Sequence, residues 1–364
     1  VAGYYLALLV WPARLSCDYS YNAVTLFGWT LTEGQDPHAW AALAALLGLL
    51  AASVLAWRRD RAVWFFLGFA AVALLPTSNL LFPIGTIMAE RLTYLPLAGA
   101  AAAAVLALAA LEQRMRAASP VRARRAIGLA WKTATVLVIA ALTARTVLRN
   151  EDWTGNLRLW STSAQAAPDN VKIHRALAAI AMESGPSSGR VDEALRLATA
   201  GIRIVDAAPL PLHHMPAALF EETGAYYVAS SARFAAQGQQ EQARAALGQA
   251  VSALERAEAI DREINRQGKE RLLRRGVRPE EVFDRGTPGI YKRLGWAYLE
   301  RGDATRAVST LAYLRHIRPG DYDAHYMLGV AEGGASELER ARGNPQAAGE
   351  HLARAAVNLL EATL

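Results

Sequence analysis

The long apolar runs in the first 150 residues constrain this chain more than any other feature. A helix needs about 20 apolar residues to cross the hydrocarbon core of a bilayer. Only a helix or a closed barrel satisfies its backbone polar groups there. Residues 39–57 and 92–111 meet that length. Residues 126–148 meet it too, with Lys132 and Arg145 near the ends, where long side chains snorkel to the interface. Residues 62–75 form a shorter run ended by Pro76, and the apolar stretch 80–84 beyond it reads as a re-entrant or interfacial loop. Residues 1–11 read as the end of an earlier span, so an upstream portion is expected to precede Val1. That run has neither the basic start nor the small-residue cleavage site of a signal peptide.

Arginine placement sets the expected orientation. The link after the second span carries Arg58, Arg59 and Arg61, and the link after the fourth carries Arg114, Arg116, Arg122, Arg124 and Arg125. The alternate loops, 12–38 and 76–91, hold only Arg14 and Arg91. The Arg-rich links are therefore expected on the cytoplasmic side, and everything after residue 148 on the outer side. In a bacterium this means an inner-membrane protein with a periplasmic C-terminal half, and in a eukaryote an endoplasmic-reticulum protein with that half in the lumen.

Residues 150–364 have a different composition, rich in Ala, Arg, Glu and Gln. Residues 288–321 fit a 34-residue helix-turn-helix repeat of the tetratricopeptide type. Tyr291, Leu294, Gly295 and Tyr298 fall on one face of a first helix, Gly302 makes the turn, and Ala307, Leu311 and Leu314 line the second. Residues 322–360 read as another unit through Leu328, Gly329, Ala348, Leu352 and Ala355. Its small positions lie further apart by about two helical turns, which keeps the face in phase. Residues 220–257 show the same stretched gap, from Gly224 to Ala243, and 173–205 form a looser unit. Residues 265–286 read as a charged helical connector or loop. The fold class is thus all-α: a polytopic helical membrane domain over 1–149, followed by an α-solenoid over 150–364. Such arrays present a groove for an extended peptide or partner protein.

The net charge of +6 is not a nucleic-acid signal, because the arginines are split between membrane-flanking clusters and helix surfaces. One cysteine, Cys17, excludes a disulfide framework within the chain. His213 and His214 are adjacent between prolines and read as solvated rather than metal-bound.

The stretch 75–96 is the most distinctive: an outer loop containing Asn79, then Ala89, Glu90 and Arg91, then a span beginning near Tyr94. Charges at the start of a span are costly unless used or solvated, and a guanidinium is suited to gripping phosphate. Pro76, Ser78 and Asn79, followed by Phe82-Pro83 and Ala89-Glu90-Arg91, resemble the signature of the transmembrane-and-tetratricopeptide (TMTC) proteins. Residues 11–20, which include Asp18, and residues 153–160 resemble further stretches of that family. The resemblance implies a GT-C type glycosyltransferase fold. It also implies transfer of mannose from dolichyl-phosphate mannose to Ser or Thr of proteins, with a polyprenyl-phosphate sugar as the donor in a bacterial relative.

The candidate substrate-binding residues are accordingly Arg91 for lipid phosphate, Glu90 for acceptor or a divalent metal, Tyr94 and Asn79. Asp18 and Glu90 are the catalytic candidates. GT-C enzymes carry their principal acidic residue in a first outer loop, so that residue is expected outside this chain. The expected partners are membrane lipid, the lipid-linked sugar and an acceptor protein in the repeat groove. The rival class is a non-enzymatic, membrane-anchored repeat scaffold for envelope proteins.

Overall fold

The computed structural model describes residues 2–10, 12, 15–20, 37–78, 87–183, 188–208 and 210–363. These residues form α-helices and short 3-10 turns, with no strand among them. They divide into two compact units, Val1–Ile173 and His174–Leu364.

The first unit contains α1 (Ala2–Val10), α2 (Pro37–Arg59), α3 (Arg61–Leu74), α4 (Tyr94–Ala117), α5 (Val121–Glu151) and α6 (Asn156–Ala166). Asp60 separates α2 from α3 and caps the latter, its Oδ1 accepting from the backbone N–H of Ala62 and Val63 at 3.0 and 3.2 Å. Among the described residues, two helices are long and apolar enough to cross a membrane, Glu90–Ala117 and Val121–Glu151. The run 39–57 lies within α2, whose Leu47, Leu50, Val54 and Leu55 are exposed. α3 has 14 residues and continues into a 3-10 turn, Leu75–Thr77, with Pro76 inside it. On α5 the four consecutive residues Val136, Leu137, Val138 and Ile139 are all exposed. A helix stretch whose apolar side chains are exposed in this way suits a lipid solvent.

α3 and α4 pack through small residues. A Cβ on Gly99 would lie 2.8 Å from the Phe66 carbonyl oxygen and 2.9 Å from the Ala70 nitrogen. Ala103, one turn further along α4, is buried as well. Small residues four apart let two apolar helices bring their backbones together where hydrophobic attraction between them is weak.

α7 (Val171–Glu183) leads into the second unit, which continues with α8 (Ser188–Ala207), α9 (Ala217–Ala236), α10 (Gln240–Arg274), α11 (Pro288–Glu300), α12 (Ala304–Ile317), α13 (Tyr322–Ala341) and α14 (Pro345–Glu361). Among the described residues, α9–α10, α11–α12 and α13–α14 form hairpins. Each turns through three residues with a left-handed glycine in the middle: Gly238 (φ 75°), Gly302 (φ 79°) and Gly343 (φ 76°). The next residue donates its N–H five back along the chain, Gln239 to Phe234, Asp303 to Tyr298 and Asn344 to Glu339, each at 2.9 Å. The glycine N–H bonds three back, to Ala235, Leu299 and Arg340. This is the Schellman closure, which uses up the last carbonyls of a helix and requires a residue without a Cβ penalty. Asp303 and Asn344 then cap the returning helix, accepting from the N–H of Arg306 and Ala347.

The α11–α12 hairpin buries the residues its sequence pattern selects: Tyr291, Leu294, Gly295, Tyr298, Ala307, Leu311 and Leu314. In α13–α14 the pattern holds for Leu328, Gly329, Ala348 and Ala355, but Leu352 is 49% exposed. The inward stripe of α14 passes instead through His351, whose Nδ1 meets the carboxylate of Glu332, a residue 4% exposed on α13. Arg354 Nε reaches the other oxygen of Glu332 at 3.1 Å. A buried carboxylate draws the polar partners inward, and the leucine is displaced to the surface. Residues 265–286 combine both forms expected of them, since α10 runs to Arg274 and a loop follows. His213 Nδ1 lies 2.8 Å from Gln267 Nε2 on α10.

Candidate functional site

Two of the sequence candidates, Asp18 and Glu90, meet around a short loop, residues 15–20. Glu90 opens a 3-10 turn, Glu90–Thr93, that leads into α4. Thr93 Oγ1 closes the turn by donating to the Glu90 carbonyl at 2.7 Å. The Glu90 carboxylate reaches back across the fold. Its Oε1 accepts from the Ser16 N–H and from the Tyr19 hydroxyl, both at 2.7 Å. Beside this pair, Tyr5, Tyr19 and Met88 form a small buried core with Leu8, Leu74 and Ile87 packed on it. The Ala89 N–H donates to the Tyr5 hydroxyl at 3.2 Å. Burial and the neighbouring Glu90 charge push the Tyr19 hydroxyl well above its ordinary titration range. It therefore stays protonated and remains a donor.

Asp18 lies on the same loop and is tied in the other direction. Asn170, fully buried, donates from Nδ2 to the Asp18 carbonyl at 3.0 Å and to its Oδ1 at 3.1 Å. Lys172 Nζ meets Oδ2 at 2.7 Å, and the Ser20 N–H meets Oδ1 at 2.9 Å. Burial acts to raise the Asp18 pKa, but the bonds from Lys172, Ser20 and Asn170 outweigh it and hold the group below its ordinary value. The Cys17 N–H donates to Ser163 Oγ on α6 at 3.1 Å. Burial raises the Cys17 thiol, so it is not a ready nucleophile.

Glu90 is thus bonded to the loop that carries Asp18 and Tyr19. Arg91 is exposed, and no ion pair joins it to Glu90 among the described residues. Tyr94 is 76% exposed at the head of α4. Asn79 lies outside the described residues. No group of three His, Cys, Asp or Glu side chains among the described residues is arranged to hold a metal ion.

Sequence reasoning missed Arg149, on the last turn of α5. The residue is 8% exposed. Its Nη1 donates to Asp152 Oδ2 at 2.9 Å, and its guanidinium carbon sits 6.0 Å from the Trp153 ring centroid. Its positive charge is felt at Tyr19 and Cys17, where it opposes the rise in pKa. Arg145, one turn earlier, donates from Nε to the Pro12 carbonyl at 3.0 Å, so it is anchored to the chain rather than simply snorkelling. Both arginines line a cavity of about 390 Å³, with Leu15, Asp152, Thr162 and Gln165. The spacing of four residues at the end of an apolar helix was the available signal, since it puts both guanidinium groups on one face.

A second cavity, of about 730 Å³, lies in the repeat unit by Arg315, His316, His325 and Glu361. Its polar groups are largely engaged. Arg315 donates to Asn358 at 2.7 Å, and His325 Nε2 lies 2.7 Å from the Pro319 carbonyl; its Nδ1 is 2.9 Å from Glu361 but outside hydrogen-bond geometry.

Comparison with known proteins gives this geometry a context. No protein-family model matches the chain. Protein O-mannosyl-transferase TMTC4 of Mus musculus is 30% identical over 179 residues, which is 47% of this chain and 22% of that protein. Protein O-mannosyl-transferase Tmtc3 of Drosophila melanogaster is 28% identical over 204 residues, 54% of this chain and 20% of that protein. The curated relatives are TMTC proteins. The chain's match spans less than a quarter of each of these two TMTC relatives. The TMTC resemblance drawn from residues 75–96 therefore agrees with an independent comparison. Among solved structures, that of MamA aligns with a TM-score of 0.34 at 17% identity, covering 58% of this chain and 90% of MamA. YrrB, described as a TPR protein with an unusual peptide-binding site, aligns with a TM-score of 0.22 at 14% identity, covering 56% of this chain and 95% of YrrB.

Proposed function

We propose that this chain is part of a GT-C-like membrane glycosyltransferase. It moves a mannose-like sugar from a polyprenyl- or dolichyl-phosphate donor to Ser or Thr hydroxyls of a protein. The similarity to TMTC O-mannosyltransferases is the observation that carries this reading. The apolar helices supply a membrane setting in which a lipid-linked donor is soluble. The repeat hairpins supply a surface for an extended acceptor segment, and the Arg asymmetry supports an outer-side location for them.

The chemistry asks for a carboxylate. In the transfer, the acceptor oxygen attacks the sugar's anomeric carbon, the bond to the phosphate oxygen breaks, and the hydroxyl proton passes to a base. Glu90 suits a role towards the acceptor better than Asp18. Its hydrogen bonds run through Oε1, so Oε2 is open to an incoming hydroxyl. Both Asp18 oxygens are taken by Lys172, Asn170 and Ser20, which suits a fixed structural tie. Arg91 and Tyr94, exposed at the head of α4, are available to the sugar of the donor. A divalent metal at Glu90 is a further element of the proposal.

The test is sugar transfer in membranes. Labelled polyprenyl-phosphate mannose and a Ser/Thr-rich peptide are supplied to the protein and to its Glu90→Gln variant, with correct insertion verified. Hydroxyl-linked mannose that falls at least tenfold in the variant supports the reading. No transfer from any lipid-linked sugar, together with specific capture of envelope proteins by the repeats, replaces it with the scaffold reading.

A further inference from the structure

The cavity at the end of α5 has a feature that its own residues do not explain. Arg149 is more than nine-tenths buried, yet its Nε and Nη2 have no hydrogen-bond partner among the described residues. Buried donors on a charged group are almost always matched, because leaving one unmade costs its full desolvation. Asp152 answers one of Arg149's nitrogens and leaves the other two. Around the same cavity stand a second cation, Arg145, and the exposed amide of Gln165. Two guanidinium groups against one carboxylate leave the lining with a net charge of +1.

We infer that this cavity binds a phosphodiester monoanion, held by Nε and Nη2 of Arg149 and by the guanidinium of Arg145. A planar guanidinium offers parallel N–H donors that match two phosphate oxygens. Arg158 also reaches Asp152, at 3.7 Å, but its charge is offset by Glu151 at 2.8 Å, so the lining keeps its +1 and a phosphodiester cancels it, whereas a phosphomonoester dianion overshoots it. The volume of about 390 Å³ lies within the range of small-ligand sites. Leu15 lines the cavity, and the N–H of the next residue, Ser16, donates to the Glu90 carboxylate at 2.7 Å. An anion bound here is therefore a neighbour of the Glu90 loop. The site stands on its own geometry, and it rests on the glycosyl-transfer reading only for identifying the diester as that of a lipid-linked sugar.

The test uses the full chain in dodecyl maltoside micelles in phosphate-free buffer. One arm measures binding of radiolabelled polyprenyl-phosphate mannose. The other measures its displacement by dimethyl phosphate, a diester with neither lipid nor sugar. Arg149→Gln and Arg145→Gln are each expected to weaken lipid binding about tenfold or more. Asp152→Asn is expected to strengthen it, since it raises the net charge of the lining and releases Nη1. This variant keeps the proposal testable should Arg149→Gln fail to fold. Displacement by dimethyl phosphate means that the diester alone is recognised, and lipid binding without displacement means that the polyprenyl chain contributes; both support the site.

No lipid binding by the wild type overturns the proposal. So does unchanged binding in the arginine variants, or binding by Asp152→Asn no tighter than wild type. Sugar transfer that persists in variants without lipid binding removes the site and leaves the enzyme reading. Lipid binding without transfer does the reverse.

Discussion

Asp18 sits on a short loop that Glu90 holds by two hydrogen bonds, and their surroundings give the two carboxylates different work. Asp18 joins the loop to the start of α7, through Asn170 just before it and Lys172 in its first turn. Replacing it with Asn is expected to cost about 1 kcal/mol in the first unit. Little of that comes from Lys172, which is 52% exposed and screened by solvent. The pH dependence follows from the lowered pKa. The ionised form is favoured in the folded state, so its contribution is complete above pH about 4 and fades as pH falls through the lower folded value. Limited proteolysis of the protein in micelles from pH 3 to 7 measures this, and a wild-type acid sensitivity no steeper than that of Asp18→Asn would refute it. Tyr19→Phe removes one of two donors to Glu90. It is expected to cost about 1 kcal/mol and to speed cleavage of the loop, as followed by the same assay. Glu90 and Asp18 were legible as candidates from residue type and motif. Their partners were not, because Asn170 and Lys172 are more than 150 positions from Asp18. Arg149 escaped notice because a cation ending an apolar helix is ordinary. Only its burial and its unmatched nitrogens set it apart.

At the scale of the element, the glycines separate two kinds of close approach. Gly99 faces backbone atoms of α3, which cannot swing away, so Gly99→Val is expected to push α3 and α4 apart and cost several kcal/mol, about 3 or more. Gly295 faces the Leu311 side chain, whose Cδ2 would lie 2.5 Å from a new Cβ. That side chain can change rotamer, so Gly295→Ala is expected to cost less, about 1–2 kcal/mol. Thermal unfolding of both variants in micelles, followed by circular dichroism, gives the ranking; an equal or reversed order contradicts the geometry. The helices themselves were readable, since an apolar stripe of helical period, or a run apolar on all sides, leaves little choice of conformation. Leu352 was misread because the stripe on α14 is set by Glu332 across the hairpin, and one strand of pattern carries no record of what faces it.

At the scale of the molecule, the two compact units differ in the solvent they are made for. Residues 168–364, cut just before α7, are expected to remain soluble and helical without detergent. Residues 1–173 are expected to precipitate unless a micelle covers α4 and α5. Ultracentrifugation of the two fragments, with and without dodecyl maltoside, checks this; precipitation of the repeat fragment in detergent-free buffer would show that its core depends on the membrane unit. The turns at Gly238, Gly302 and Gly343 carry a further consequence. They share length, handedness and closing bonds, although the helices they join differ from 13 to 35 residues. The joint is therefore a standard fitting and the rods are variable. Lengthening or shortening a helix pair by whole turns moves the tip outward or inward while the bend stays the same. A lineage can thus change the reach of its hairpins without having to reinvent their folding.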